Sequence, residues 1–398
     1  MQVLRLAEHE PLYLAKDAFE YKRARYLWEH YPEQVDISEP SLKTADRWKL
    51  TSGGWVGYIP LTDGIGLALE PKVPLQNIFR MLEYAYRLSS FRILDELMQA
   101  GSLQDFFERL ANVLAERILD RVRKGVFRTY RSRHERLPYL RGRIDIAQAA
   151  STPWQLRFPC RYREHTGDVE DNQILMWTLD RLARSGIRRD DVRASIRKAH
   201  HALQGAVTVT PFSPRDCTGR TYNRLNQDYD VLHALCRFFL ENTGPTHEGG
   251  DHGMTPFLVN MDRLFELFVA EWMKVHLPIE WSLEAQDRVT VGNSAELRFN
   301  IDLVVRATGT TDVTCVLDTK YKSGTPSNAD VAQVVTYAEL RQTTNAVLIY
   351  PVRLDEALAV ETGRIRVRGV SFLLDGDLGM AGQEFLTVLF AGDARFRL

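Results

Sequence analysis

Two aspartates and a lysine late in the chain have types and spacing suited to chemistry. They lie in Phe299-Asn-Ile-Asp302-Leu-Val-Val305 and in Val316-Leu-Asp318-Thr-Lys320-Tyr-Lys322. Each aspartate interrupts an apolar run of strand type. Side chains alternate faces along a strand, so Asp318 and Lys320 should point together while Thr319 points away. Segment 306–313, with Gly309, is short enough for a hairpin connection that would stand Asp302 beside Asp318. Two close carboxylates repel unless a cation intervenes. Magnesium suits this place, because it takes one or two carboxylates plus waters and phosphate oxygens. It polarises phosphoryl oxygen and lowers the pKa of its water. A lysine ammonium alongside can stabilise developing charge or hold the attacking water. Asp302 and Asp318 are therefore candidate Mg²⁺ ligands, with Mn²⁺ an expected substitute, and Lys320 a candidate catalytic residue in phosphodiester hydrolysis.

Taken singly, each residue has a plainer reading. An Asp or Lys on a strand is commonly just solvated, and a D-x-K triplet recurs by chance in chains of this length. The combination carries more, because helices flank it on both sides. On the upstream helix, Glu266 sits inside Leu264-Phe-Glu-Leu-Phe268. An acid rarely enters a core without a partner or a metal, although an exposed stripe would also accommodate it. On the downstream helix, Gln333 and Tyr337 are one turn apart and share a face. They could hold water, a phosphate or the Lys320 side chain, or form an ordinary polar face.

The elements that must position these residues follow from periodicity. The first 70 residues read as short β elements punctuated by Gly53, Gly54, Gly57, Gly64 and Gly66. The run Glu70-Pro-Lys-Val-Pro74 forbids a helix. From Gln76, the residues Ile78, Leu82, Ala85, Tyr86 and Ile93 recur at helical spacing. Ser102 is a candidate N-cap for a helix carrying Phe106, Leu110, Leu114 and Ile118 and ending near Gly125. Residues 126–146 look extended, and 172–183 and 226–242 again carry helical stripes. The polar, Gly-rich segment 244–256 reads as a linker or loop. His247, Glu248, Asp251 and His252 lie in it, and its glycines leave no rigid geometry for metal ligands. Beyond it the pattern is a helix over 261–276, extended segments near 281–291 and 296–305, a strand at 314–317, a helix at 328–341, a strand at 346–350 and an extended segment near 365–373. That order predicts an α/β domain over 257–398 with a central mixed sheet flanked by helices. Residues 1–250 form the other expected module, β-rich over 1–75 and mainly helical over 76–250. The whole is of α+β / α/β class.

The block from Asp302 to Lys320 resembles the PD-(D/E)XK nuclease signature, and Gln333 with Tyr337 matches the Q-x-x-x-Y often found on its following helix. Ile301 stands where the signature has proline, a permissive position. Gly57-Tyr-Ile-Pro-Leu61, Glu70-Pro-Lys-Val-Pro74, Met81-Leu-Glu-Tyr-Ala-Tyr86, Leu140-Arg-Gly-Arg-Ile-Asp145 and Asp171-Asn-Gln-Ile-Leu175 resemble, in order along the chain, the McrC family. McrC is the nuclease subunit of the McrBC modification-dependent restriction system. The resemblance implies a restriction-endonuclease-like domain acting on double-stranded DNA, typically with modified cytosine. It implies a McrB-like AAA+ GTPase hexamer as partner, which the N-terminal module would bind and stimulate. It also implies that DNA recognition belongs mainly to that partner.

Composition bounds the remaining readings. The chain has 398 residues with 51 Lys plus Arg against 52 Asp plus Glu, a net charge of −1. That balance excludes a uniformly basic nucleic-acid coat but allows a local basic face. Such a face is present, since residues 117–143 hold ten Lys or Arg and only Asp120 and Glu135 as acids, interleaved with Phe127, Tyr130 and Tyr139. Arg128, Arg131, Arg133, Arg141 and Arg143 are candidates for contact with DNA phosphates or with the partner. An arginine offered in trans can also stabilise charge during GTP hydrolysis. The plainer reading is a solvated helix face with a polar hairpin. No G-K-[ST] follows the N-terminal glycines, so this chain alone is not expected to bind a nucleotide. Four cysteines without a CxxC pair argue against a zinc ribbon or disulfide scaffold. No apolar run approaches the about 20 residues of a membrane span, and residues 1–14 lack a signal-peptide layout. A cytoplasmic enzyme is expected. The rival expectations are a catalytically inactive subunit that only activates the GTPase and a stand-alone DNA nuclease or repair enzyme.

Overall fold

The structure, a computed structural model, describes residues 2–61, 65–87, 100–243, 256–292, 297–322, 326–354 and 356–391. The chain folds as two compact units, Met1–Phe106 with Pro256–Leu398, and Phe107–Thr255.

The N-terminal segment is β-rich, as the glycine spacing suggested. It contains β1 (Gln2–Ala7), β2 (Pro11–Ala15), α1 (Tyr21–His30), β3 (Val35–Ser38), β4 (Arg47–Ser52), β5 (Trp55–Pro60), β6 (Ile65–Glu70) and α2 (Leu75–Ala85). The helix α1 interrupts the expected run of strands and buries Ala24 and Leu27. Strand β4 pairs antiparallel with β2 and β3. Strand β6 pairs parallel with β1 and antiparallel with β5. Leu6, Leu27, Leu50, Ile59, Leu67 and Leu69 form the core between these elements. Pro74 stands at the N-cap of α2, where a residue without an amide proton costs least. The helical stripe of Ile78, Leu82 and Ala85 is buried; Ile93 and Gly64 lie outside the described residues.

The Phe107–Thr255 unit begins within α3 (Leu103–Lys124). The Ser102 hydroxyl accepts from the Asp105 amide at 3.1 Å, the capping contact its position suggested. Then follow β7 (Thr129–Leu137), β8 (Arg143–Ile144), α4 (Ile146–Ser151), β9 (Phe158–Thr166), α5 (Glu170–Ala183), α6 (Asp190–Leu203) and α7 (Tyr229–Asn242). The first three strands form an antiparallel sheet in the order β7-β9-β8, an addition to the mainly helical reading of 76–250. Asn172 is buried and donates to the carbonyls of Phe127 at 2.8 Å and Gly167 at 2.6 Å, while the Tyr229 hydroxyl donates to its Oδ1. Gln173 donates to Asp168 at 2.8 Å. Asn172 and Gln173 of the 171–175 motif therefore hold the start of α5 in place.

The C-terminal segment contains β10 (Phe257–Asn260), α8 (Met261–His276), β11 (Trp281–Val291), β12 (Leu297–Ala307), β13 (Val313–Thr319), α9 (Asn328–Leu340), β14 (Asn345–Tyr350), β15 (Ala359–Thr362), β16 (Ile365–Ser371) and α10 (Leu378–Leu389). Strand β10 does not join its neighbours in sequence. It pairs antiparallel with β5 and completes a four-stranded sheet, β1-β6-β5-β10. The remaining strands form a six-stranded mixed sheet, β11-β12-β13-β14-β16-β15. Ile301, Val304, Val316, Ala346 and Leu348 of this sheet are buried against Val334 and Ala338 of α9. The expected mixed sheet with flanking helices is thus present. The compact units, however, do not follow a linear boundary near residue 250. Residues 1–106 fold with 256–398.

Candidate active site

The connection between β12 and β13 is a hairpin, with Leu303 opposite Leu317 and Val304 opposite Val316. One step along that register, Asp302 stands against the end of β13. Asp318 is wholly buried and Asp302 is half-buried. Asp302 Oδ2 accepts from the Thr319 amide at 2.8 Å and from its hydroxyl at 2.9 Å. Thr319 was expected to face away. The sheet ladder ends at this residue, and its amide and hydroxyl both turn to the carboxylate opposite.

Lys320 Nζ lies 2.7 Å from Asp318 Oδ2 and donates to Gln333 Oε1 at 3.1 Å. Gln333 Nε2 in turn donates to the Tyr337 hydroxyl at 2.8 Å. The structure thus brings together Asp302, Asp318, Lys320, Gln333 and Tyr337. Helix α9 can do this because its start is fixed. Ser327 and Asp330 form a capping box, and Asp330 is also ion-paired with Lys322. Glu266, on α8, faces the same group. Its Oε1 accepts from Gln286 Nε2. Gln286 lies in β11 between the pairs Ala285–Leu303 and Asp287–Ile301, opposite Asp302, with a left-handed φ of 56°. Nothing in the sequence pattern of β11 marked Gln286, because its place depends on that backbone irregularity.

The three acids confined here are all raised above the ordinary carboxyl range. Burial raises the Asp302 carboxyl, against the Thr319 hydrogen bonds and the Lys320 charge. Asp318 is pushed up to about 7 by burial and then by the Asp302 charge, with Lys320 opposing. Glu266 is pushed up to about 7 by burial and by Asp302, with further repulsion from Asp318. For Lys320, burial pulls its pKa down, but Asp318, with Asp302 and Asp330, holds it above its usual range.

A divalent cation fits this chemistry. Asp318 Oδ1 is buried with no hydrogen-bond partner among the described residues, and a buried anionic oxygen of that kind is costly unless a cation meets it. Among the described residues no group of three or more His, Cys, Asp or Glu side chains could hold a metal ion. Asp302 and Asp318 are instead a two-carboxylate arrangement, the kind magnesium uses when water and phosphate complete its coordination.

The five candidate arginines belong to the other unit. Arg128 precedes β7, Arg131 and Arg133 lie in it, Arg141 sits in the turn before β8, and Arg143 lies in β8. Arg133 and Arg141 share Glu164, at 3.2 and 3.3 Å, and Arg141 stacks 4.0 Å above the Tyr162 ring. Arg128 and Arg143 are exposed. Tyr130 of β7, Ile146 of α4, and Trp154 and Leu156 between α4 and β9 are also exposed, so basic and apolar side chains share the surface of this region. Residues 244–255, with His247, Glu248, Asp251 and His252, lie outside the described residues. No helix among the described residues is long and apolar enough to cross a membrane.

Residues 50–351 match the family model described as McrBC 5-methylcytosine restriction system component. A curated relative, the type IV methyl-directed restriction enzyme EcoKMcrBC of Escherichia coli (strain K12), is 23% identical over 218 residues. That match covers 52% of this chain and 61% of the relative, less than two thirds of its length. A solved chain from the refined half-complex of a tetradecameric assembly, Thermococcus gammatolerans McrB AAA+ hexamers with bound McrC, has a TM-score of 0.55 and 19% identity. It aligns over 98% of this chain and 99% of its own length, a likeness of fold. A chain from the Thermococcus gammatolerans McrBC complex aligns with a TM-score of 0.45 and 20% identity, over 70% of this chain and 88% of that one. With its family model covering most of the sequence, this chain belongs to the McrBC 5-methylcytosine restriction system component family.

Proposed function

We propose that this chain is the Mg²⁺-dependent endonuclease subunit of a GTP-dependent restriction system, with a PD-(D/E)XK-type site in the six-stranded sheet. The observation that carries the reading is the pair of acids on the β12–β13 hairpin, with Lys320 bridging Asp318 to Gln333. Asp302 and Asp318 would hold the cation, which supplies a polarised phosphoryl oxygen and a more acidic water. Lys320, kept aimed by Gln333 and Tyr337, places a positive charge where the attacked phosphate gains negative charge. Glu266, whose carboxyl is pushed up to about 7 by burial and by the Asp302 charge, is suited to hold or pass a proton beside the carboxylates. The substrate is double-stranded DNA, typically with modified cytosine, as in the family to which the chain belongs.

The partner in this proposal is a McrB-like AAA+ GTPase hexamer, which this chain engages and stimulates. The sheet β7-β9-β8, with its arginines and the exposed Trp154 and Leu156 beside it, is the surface best suited to that contact. The test is cleavage of methylated and unmethylated plasmid by the purified chain with its partner GTPase, GTP and Mg²⁺. Asp318→Asn should abolish cleavage while leaving partner binding and GTPase stimulation intact. A variant that still cuts at the wild-type rate would overturn the assigned site. A wild type that stimulates the GTPase yet never cuts would establish the regulatory reading instead.

A further inference from the structure

The far side of the Lys320 strand end carries a buried acid that no step above uses. Glu8 directly follows β1. Its amide donates to the Glu70 carbonyl at 2.9 Å, and its backbone bridges Ser52. Its side chain is wholly buried. Oε2 accepts from the Lys72 amide at 3.3 Å and from the Tyr321 hydroxyl at 3.2 Å. Oε1 has no hydrogen-bond partner among the described residues and lies 3.7 Å from His9 Nε2. Burial raises the Glu8 carboxyl, against the Lys72 amide, His9 and Tyr321. An apolar side chain would fill such a place at lower cost, so a buried acid here calls for a role beyond packing.

The residue it reaches is Tyr321, next to Lys320. Tyr321 is itself buried, and its ring sits 6.0 Å from that of Phe265, the neighbour of Glu266. On the opposite side of the same backbone, Lys320 reaches Asp318 and Gln333, and Lys322 reaches Asp330. The Lys320 amide donates to the Ile349 carbonyl at 2.8 Å. The Lys322 amide also donates to the Lys320 carbonyl at 2.9 Å, and residues 320–322 are held from two directions, by α9 through Lys320 and Lys322 and by Glu8 through Tyr321.

We propose that Glu8 is a positioning residue of the candidate nuclease site: through the Tyr321 hydroxyl, its carboxylate fixes the backbone that presents Lys320. The inference rests on the nuclease reading above, and it makes the sheet containing β1 part of the active-site frame. It also ties the orientation of Lys320 to any movement of that sheet.

The test uses the full chain with its partner GTPase and four variants: Glu8→Ala, Glu8→Gln, Tyr321→Phe and Asp318→Asn. Two quantities are measured, amide hydrogen exchange over residues 318–322 and the kinetics of plasmid cleavage. Glu8→Ala and Tyr321→Phe should speed exchange there by about tenfold, as expected when a local anchor is lost. They should lower kcat by about tenfold to a hundredfold, with KM for DNA within about twofold. Glu8→Gln, whose amide oxygen still accepts from Tyr321, should recover most of both. Unchanged exchange in a folded Glu8→Ala protein overturns the proposal. So does faster exchange with undiminished kcat. Failure of the nuclease reading shows separately, as a wild type that cuts no better than Asp318→Asn, and it removes the catalytic role of Glu8 with it.

Discussion

Asp318 is pushed up to about 7, so near neutral pH protons and a divalent cation compete for its oxygens. Mg²⁺ binding should therefore strengthen as pH rises through 7 and release protons. Calorimetry in two buffers of different ionisation enthalpy measures that release. Stability follows the opposite course. A carboxyl whose folded pKa lies above its unfolded value binds protons more tightly when folded, so it favours the folded state only while protonated. The cation-free protein should lose stability as pH rises from about 4 to about 7 on account of Asp318, and saturating Mg²⁺ should restore it. Thermal unfolding of wild type and Asp318→Asn across that range isolates the contribution. Identical pH slopes for the two proteins would show that Asp318 is not the group responsible.

At the scale of elements, α9 turns a strand lysine into an aimed one. Val334 and Ala338 bury one face, and this fixes the rotation that carries Gln333 and Tyr337 to Lys320. Gln333→Ala should leave the fold intact and lower kcat by about tenfold, the cost typical of lost positioning. An unchanged kcat would reduce Gln333 to a polar surface residue. The sheet β7-β9-β8 offers a second contrast. Arg133 and Arg141 are paired with Glu164, whereas the exposed Arg128 and Arg143 have no ion pair among the described residues. Arg128→Glu with Arg143→Glu should weaken association with the GTPase or DNA, with a shallower salt dependence than wild type. Arg133→Ala should act mainly on the stability of the β7–β9 pairing. Equal binding and equal salt slopes would remove this surface from either interface. These elements were legible in sequence where a period was strong and local. The helix over 261–276 and the strand over 281–291 coincide with α8 and β11, and β12, β13 and α9 differ from expectation by a residue or two at their ends. Gln286 was not legible, because a left-handed residue inside a strand leaves no mark on alternation. Nor was Glu8, whose neighbours in space are Lys72 and Tyr321.

At the scale of the molecule, the main departure from sequence reading has the same cause. Periodicity reports which face of a strand is buried, not which distant strand it will meet. Residues 257–260 read as the start of a new domain, yet as β10 they pair with β5, about two hundred residues earlier. The seam requires a residue without a side chain. At Gly57, φ is 138°, and a Cβ would stand 2.1 Å from the Phe257 carbonyl oxygen. That oxygen belongs to backbone and cannot swing aside, so Gly57→Ala should force the two strands apart and cost about 1–3 kcal/mol. The same seam predicts how the chain can be divided. Residues 256–398 alone leave β10 without β5, and the Asn77 side chain no longer donates to the Leu374 carbonyl, a contact of 2.6 Å in the whole chain. Expressed alone, that fragment should fail to unfold cooperatively. Coexpressed with residues 1–106 it should recover a sharp transition, and Gly57→Ala in the N-terminal fragment should weaken the recovery. Circular dichroism melting of the three preparations decides the matter. A cooperative transition in 256–398 by itself would show that the six-stranded sheet and its helices are a self-sufficient domain, with the N-terminal sheet attached to it rather than built into it.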